Sequence, residues 1–276
     1  MKMTKRKELI GCDDCSWSGF MIKDGESYAT AVLCNCVLRC DDCDGTGNVL
    51  LTNDKGYTHV SPCPACGVIR RNVKLYNMAG IPVKYSKVLQ VDACLNLSGI
   101  DSSFQAALKY AREQFVKKYP TNKGFLLMGP AGTGKTHLAI GTISELTLRY
   151  GVQCIFTDFF HLLSDLRQAY SEGTPENEII LPLVEAEVLV IDELGKGRSN
   201  EWELNILDQL ISKRYNTSRK TLATTNYVTR EIARTKADTN EILEVRVGER
   251  IASRLFEMCE LIHLEGRDYR KEKRKV

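Results

Sequence analysis

The sequence predicts an α/β fold in which a parallel five-stranded sheet is flanked by helices and preceded by a small cysteine-rich segment. Two observations predict it. From residue 101 onward, short apolar runs alternate with stretches of helical periodicity, and such alternation implies crossover connections and a parallel sheet. Ahead of this, eight of the eleven cysteines crowd into the first 66 residues, where apolar periodicity is weak and Gly, Asp and Asn are frequent. A stretch of that composition cannot bury enough apolar surface to fold unaided and needs a staple.

The shift in composition divides the chain into a cysteine-rich domain over 1–76, a connector over 77–100, and an α/β domain over 101–276 that ends in a basic tail, "GRDYRKEKRKV". The first helix is "DSSFQAALKYAREQFVKKYP": Asp101 or Ser102 can cap it, Phe104, Ala107, Leu108, Ala111 and Phe115 recur on one face, and Pro120 ends it. "GFLLM" is the first strand of the sheet and "KTHLAIGTISELTLRY" the helix that follows, stopped by Gly151. Then come strand "VQCIFTDF", helix "FHLLSDLRQAY", strand "EVLVID", helix "EWELNILDQLISKRYN", strand "TLATTNY", helix "ERIASRLFEM" and strand "CELIHLE". The α/β part shows no internal repeat.

Composition excludes some classes. No run approaches 18 uninterrupted apolar residues, so no membrane span is expected. The start, "MKMTKRKELIGCDDC", lacks the apolar core of a secretory signal, so a cytoplasmic, reducing location is expected, where cysteines serve metals better than disulfides. The net charge of +3 is too mild to name a partner, although the basic tail suits either solvent or the phosphates of a nucleic acid.

"GPAGTGKT", between a strand and a helix, is a phosphate-binding loop. Gly129, Pro130, Ala131, Gly132, Thr133 and Gly134 form a bend whose N–H groups can point at phosphates, and the helix N-terminus adds a favourable dipole. Lys135 can reach the β- and γ-phosphates of ATP, and Thr136 can offer its hydroxyl to Mg²⁺. About 55 residues on, "VLVIDE" carries Asp192 to the carboxyl end of a strand, where it can hold Mg²⁺. The next residue, Glu193, can orient and polarise an attacking water. Asn226 ends the next strand, where an amide can hold that water; a turn-forming Asn is the plainer alternative. Arg250 and Arg254 lie four apart on one helix face, suited to a solvated surface or to reaching a neighbouring subunit's γ-phosphate.

In order and spacing, "GPAGTGKTHLA", "VLVIDELG", "TLATTNY" and "GERIASRL" resemble the AAA+ ATPases of the DnaC/DnaI and IstB group, and "MAGIPVKY" looks like the segment these carry before their ATPase core. The resemblance covers about residues 77–265. It implies an AAA+ sheet with a helical insertion after the second strand, here "FHLLSDLRQAYSEG", and no C-terminal lid. By the same resemblance Arg254 matches an arginine finger acting in trans and Arg250 a supporting arginine. It further implies ATP hydrolysis, self-association through the ATP sites, and contact with DNA, single-stranded DNA above all. The implied role is loading or remodelling a replicative helicase; the alternatives are an IstB-like transposase helper and a zinc-dependent adaptor that uses ATP as a conformational lock.

Cys40-x2-Cys43 and Cys63-x2-Cys66, with 19 residues between, suit a tetrahedral Cys₄ Zn²⁺ site. Cys12, Cys15, Cys34 and Cys36 form a second candidate set. It is less regular, because one residue separates its last pair, and it is open to ligand exchange with the first set or to an iron–sulfur cluster. "CDDCDGTG" also resembles a repeat unit of the DnaJ cysteine-rich domain, a match too short to carry function. Cys94, Cys154 and Cys259 are expected to be ordinary buried residues, and His137 a structural one.

Overall fold

The computed structural model describes residues 12–16, 18–89, 101–197, 199–233 and 242–272. The connector beyond residue 89 (with Cys94) and the last four residues of the basic tail lie outside the described residues. The chain forms two units, Met1–Lys87 with Leu146–Val152, and Val88–Glu145 with Gln153–Val276.

The first unit is built on two antiparallel hairpins. Strand β1 (Phe20–Asp24) pairs with β2 (Ala29–Leu33), and β3 (Asn48–Thr52) pairs with β4 (Thr58–Pro62). A short helix α1 (Asn35–Leu38) follows the first hairpin and a longer helix, α2 (Gly67–Met78), follows the second. Helix α2 buries Ile69, Val73 and Tyr76. Its Asn77 amide pairs with the middle residue of β2, accepting from Ala31 N–H at 2.7 Å and donating to Ala31 C=O at 3.0 Å. The second hairpin has almost no core: Leu50 is 71% exposed and its cross-strand partner Val60 is 67% exposed. A lone two-stranded hairpin is marginal in water at best.

The second unit is the parallel sheet. Strands β5 (Gly124–Met128), β6 (Cys154–Asp158), β7 (Val188–Asp192), β8 (Lys220–Thr225) and β9 (Cys259–His263) stand in the order β6-β7-β8-β5-β9, with every neighbouring pair parallel. The α/β reading therefore holds, with all five strands where the apolar runs place them. Because β5 stands between β8 and β9, the carboxyl ends of β5, β7 and β8 open together at the change of strand order, where open α/β sheets bind ligands.

The helices follow their apolar faces. Helix α3 (Ser102–Lys109) continues to Val116 with a wider winding, and the five residues singled out from its pattern are all buried. Helix α4 (Lys135–Glu145) follows β5; α5 (Phe159–Glu172) is capped by the Asp158 carboxylate; α7 (Glu201–Asn216) is capped by the Asn200 side chain. Alternate residues of β5 serve one core, where Leu126 and Met128 join Leu189, Ile191, Leu163, Leu166, Leu207, Leu210 and Leu255. Each such side chain contributes about 1.5–3 kcal/mol on burial. Helix α10 (Glu249–Met258) closes this layer before β9.

Besides α1 and α2 of the first unit, the sequence pattern did not show α6 (Glu176–Glu185), α8 (Arg230–Ala233) or α9 (Leu243–Val247). The insertion between β6 and β7 is thus two helices rather than one. Pro182 inside α6 disguises it, since proline disfavours helix interiors. Tertiary contacts hold α6 instead. Arg214 of α7 is fully buried and donates to the carbonyls of Leu183, Val184 and Ala186 at its C-terminus, as well as to Lys220 C=O and Thr221 Oγ1 at the start of β8. A cation at a helix C-terminus satisfies orphan carbonyls and suits the dipole. Burial pulls this guanidinium down to about 9, so it stays charged at neutral pH. The last short helix, α11 (Tyr269–Glu272), follows β9.

Candidate functional site

Between β5 and α4 the loop 129–134 wraps tightly. Gly132 (φ +84°) and Gly134 (φ +91°) lie in the left-handed region, and a Cβ on Gly134 would stand 2.7 Å from the Phe104 ring. Thr133 Oγ1 donates to Pro130 C=O at 2.9 Å and braces the bend. Lys135 Nζ donates to the carbonyls of Gly129 (2.8 Å) and Pro130 (2.7 Å), so the ammonium is held within the loop. Burial lowers this lysine to about 8, against the opposing pull of Asp192.

The end of β7 meets the start of α4 and the end of β8 at one carboxylate. Thr136 Oγ1 donates to Asp192 Oδ1 at 2.8 Å, and Thr224 Oγ1 donates to the same oxygen at 2.5 Å. Burial raises Asp192, while the two hydroxyls hold it down. A hydroxyl and a carboxylate in contact are hard oxygen donors, so Thr136 and Asp192 fit Mg²⁺, which takes one or two protein ligands and fills its octahedron with water and phosphate.

Glu193 has φ +54°, a strained value for a residue with a side chain. Its N–H donates to Thr224 Oγ1 at 3.2 Å, and its carboxylate pairs with Lys196. Thr224 thus ties both acidic residues to β8. Sequence pattern missed Thr224 and Lys196; the only signal for Thr224 is its inward position in the strand alternation. Asn226 follows β8 directly and is exposed. Arg250 and Arg254 share a face of α10 as expected, and both lie against α7: Asp208 Oδ1 stands 3.6 Å from Arg250 Nε and 3.7 Å from Arg254 Nη1. Arg254 also lies over the Tyr215 ring at 5.9 Å. Neither is tied to the phosphate loop of its own chain by a hydrogen bond or ion pair among the described residues.

The cysteines form two separate groups, Cys12, Cys15, Cys34 and Cys36, and Cys40, Cys43, Cys63 and Cys66, each with all sulfurs within 4.8 Å of one another. Ligand exchange between the sets is therefore not the arrangement seen. The sulfur pairs stand at 3.5 Å (Cys12–Cys34), 3.7 Å (Cys15–Cys36), 3.9 Å (Cys40–Cys63) and 3.6 Å (Cys43–Cys66). A tetrahedral Zn–S bond of ~2.3 Å demands S···S of about 3.8 Å, so both groups fit Zn²⁺. Cys154 and Cys259 are buried in the sheet unit, as expected.

The two groups are copies of one unit, a duplication the sequence pattern had not revealed. "CDDCSWSG" and "CDDCDGTG" fold alike: Ser16 (φ +46°) matches Asp44 (φ +49°), and Gly19 (φ +79°) matches Gly47 (φ +83°). Gly19 N–H donates to Cys15 Sγ at 3.3 Å and Gly47 N–H to Cys43 Sγ at 3.2 Å. Ser18 Oγ and Thr46 Oγ1 each donate at 2.7 Å to the carbonyl of the second cysteine. The glycine carbonyl then accepts from Cys34 N–H in one copy and Cys63 N–H in the other, both at 2.9 Å, across the base of a hairpin. Burial raises the Cys15 and Cys43 thiols, but the glycine N–H and the neighbouring thiols outweigh it, bringing both to about 7.

A model of the family described as IstB-like ATP binding protein matches residues 68–276. The replicative helicase loader DnaC of Escherichia coli (strain K12) is 33% identical over 122 residues, 44% of this chain and 49% of that protein; the match thus spans about half of DnaC's length. The insertion sequence IS21 putative ATP-binding protein of Pseudomonas aeruginosa is 30% identical over 188 residues, 65% of this chain and 66% of that protein. A crystal structure of the DnaC helicase loader superposes with a TM-score of 0.56 at 30% identity, covering 66% of this chain and 99% of that one. No helix among the described residues is long and apolar enough to cross a membrane.

Proposed function

Because this chain belongs to the IstB-like ATP-binding protein family, we propose that it is an ATP-hydrolysing DNA replication protein that loads or remodels a replicative helicase. One observation carries the reading: Thr136, Asp192 and Thr224 form a hydroxyl–carboxylate–hydroxyl unit beside Lys135, with Glu193 one residue on. Loop N–H groups and Lys135 bind the β- and γ-phosphates. Thr136 and Asp192 would hold Mg²⁺, which neutralises charge on the phosphate oxygens. Glu193 orients the water that attacks the γ-phosphate and takes its proton as ADP leaves, with Asn226 steadying that water.

In this reading residues 1–76 are a zinc-stapled module that docks the partner, 77–100 a connector, and 101–276 the motor that grips single-stranded DNA and assembles through its ATP sites. The helicase assignment is supported by the likeness to DnaC. A second reading, a transposase helper, is favoured by the IS21 protein, whose match is longer. Pull-down from the source cell with a helicase and a transposase as competing baits tests this. Retention of the helicase is expected; binding to the transposase alone would overturn the loader reading.

Arg254, in this reading, reaches the γ-phosphate of a neighbouring subunit, with Arg250 in support. Arg254→Ala and Lys135→Ala subunits are then each inactive, yet an equal mixture regains about a quarter of wild-type hydrolysis, the share of interfaces that combine an intact Lys135 with an intact Arg254. No recovery on mixing would rule out the shared site.

A further inference from the structure

Helix α2 begins at Gly67, directly after Cys66, so its first turn lies against the second cysteine group. Helical side chains tilt toward the N-terminus, and Arg70, one turn in, reaches back over that group. Its Nε donates to Cys66 Sγ at 3.3 Å. Its Nη2 donates to Gly45 C=O at 2.8 Å, in the turn that follows Cys43, and to Val37 C=O at 3.0 Å, in α1. The stem fills the space beside Gly47, where a Cβ would stand 2.7 Å from Arg70 Cδ. One half-buried side chain thus touches both knuckles of the second group and the helix that serves the first.

That helix matters to the first group. Cys34 stands at the N-cap of α1 and Cys36 lies within it. A four-residue helix leaves most of its carbonyls without a partner of its own, and Arg70 supplies one for Val37. Val37 is fully buried, and its side chain meets the turn after Cys15: a Cβ on Gly19 would stand 2.9 Å from Val37 Cγ2 and 2.9 Å from Ile69 Cδ1. Consecutive residues of α2, Ile69 and Arg70, therefore reach the first group's turn and the second's. The duplication holds no second copy of this arginine. Four positions after Cys66 stands Arg70; four positions after Cys36 stands Cys40, itself a member of the other group.

Four thiolates around Zn²⁺ carry a net negative charge, which a guanidinium N–H···S contact offsets. Groups behind the ligands fix their orientation and change metal affinity by about 10–100-fold. We propose that Arg70 couples the two metal groups: bound to a thiolate of one and to the helix of the other, it makes Zn²⁺ in either group strengthen Zn²⁺ binding in its twin. This rests on the reading that each group holds one Zn²⁺. Arg70 is a positioning residue here and not a ligand.

The test withdraws zinc from the full-length, zinc-loaded protein with a graded chelator and counts the Zn²⁺ released, for wild type, Arg70→Met, Arg70→Lys, Cys15→Ser and the Arg70→Met/Cys15→Ser double variant. In wild type both ions should leave in one cooperative step. In Arg70→Met they should leave in two, the ion of Cys40, Cys43, Cys63 and Cys66 being held about tenfold more weakly. Cys15→Ser should weaken that same ion about tenfold, yet add nothing further in the Arg70→Met background, since both changes remove one coupling. Lysine keeps a charge beside Cys66 but cannot span a sulfur and two carbonyls, so Arg70→Lys should hold the second ion more tightly than Arg70→Met and still release in two steps. Arg70→Lys decides the question should Arg70→Met retain no metal. Cooperative one-step release in the Arg70 variants, independent release in wild type, or additive losses in the double variant would each overturn the coupling. A wild type that holds a single ion would remove the two-ion reading on which it rests.

Discussion

Glu193→Gln is expected to cut ATP turnover by at least about 10²-fold, the scale of a lost general base, while ATP affinity stays within about threefold. The geometry separates Glu193 from its neighbour. Asp192 is buried and receives two hydroxyl hydrogen bonds on Oδ1, which fix it beside Thr136 as a metal-ligand candidate rather than leave it open to bulk water. The Glu193 side chain is 33% exposed, and its one described partner is the solvent-facing Lys196, so water can reach its carboxylate. Glutamine keeps the size of the side chain, and Thr224 Oγ1 still accepts the backbone N–H at this position, so the strained turn survives the change. Single-turnover hydrolysis and ATP binding, measured with DNA and partner protein present, separate the two effects. If the wild type hydrolyses no faster than the variant, ATP serves as a conformational lock rather than a fuel.

Removing zinc is expected to unfold the cysteine-rich unit and spare the nucleotide site. Each structural Zn²⁺ in a small domain supplies folding free energy on the order of 10 kcal/mol. The unit cannot replace that from its core, because Leu50 and Val60 of the second hairpin face solvent. Metal analysis should find two Zn²⁺ per chain, because each cysteine group repeats the same N–H···S bonds and the same sulfur spacing. Cys15→Ser and Cys43→Ser should each lower the count by one. Chelation should open the unit to protease while ATP binding persists, since Lys135, Thr136, Asp192 and Glu193 all belong to the other unit. A content of one, unchanged in Cys15→Ser, would leave only the Cys40, Cys43, Cys63 and Cys66 site.

The sheet unit was legible because its signals are local. A phosphate loop needs glycines, a lysine and a hydroxyl in fixed order, and a buried parallel strand needs an unbroken apolar run, so "GPAGTGKT" and "VLVIDE" declare both chemistry and place. Helix α6 was hidden for the opposite reason. Its own proline argues against it, and what holds it is Arg214, about thirty residues further along the chain. Thr224 likewise becomes part of the site only because β8 lies beside β7.

The cysteine segment shows the same division within a few residues. "CDDCDGTG" announced a metal knuckle by spacing alone, since two thiolates from one tight turn suit one ion. That "CDDCSWSG" is its twin was obscured by Cys34-x-Cys36, one residue shorter than Cys63-x2-Cys66. Matching φ values and hydrogen bonds reveal the kinship, because backbone geometry at a metal turn tolerates a change in spacing that a sequence pattern does not. By itself the sequence determined the fold class, the phosphate-loop motif, the acidic pair and a cysteine cluster fit to hold a metal, all set by residues close together in the chain. Only the tertiary structure decided how the eight cysteines divide, which hydroxyls hold Asp192, and that the C-terminal segment folds back onto Gly132. Those contacts join residues between about 20 and 170 positions apart, and nothing in a local pattern encodes which distant partner packing will supply.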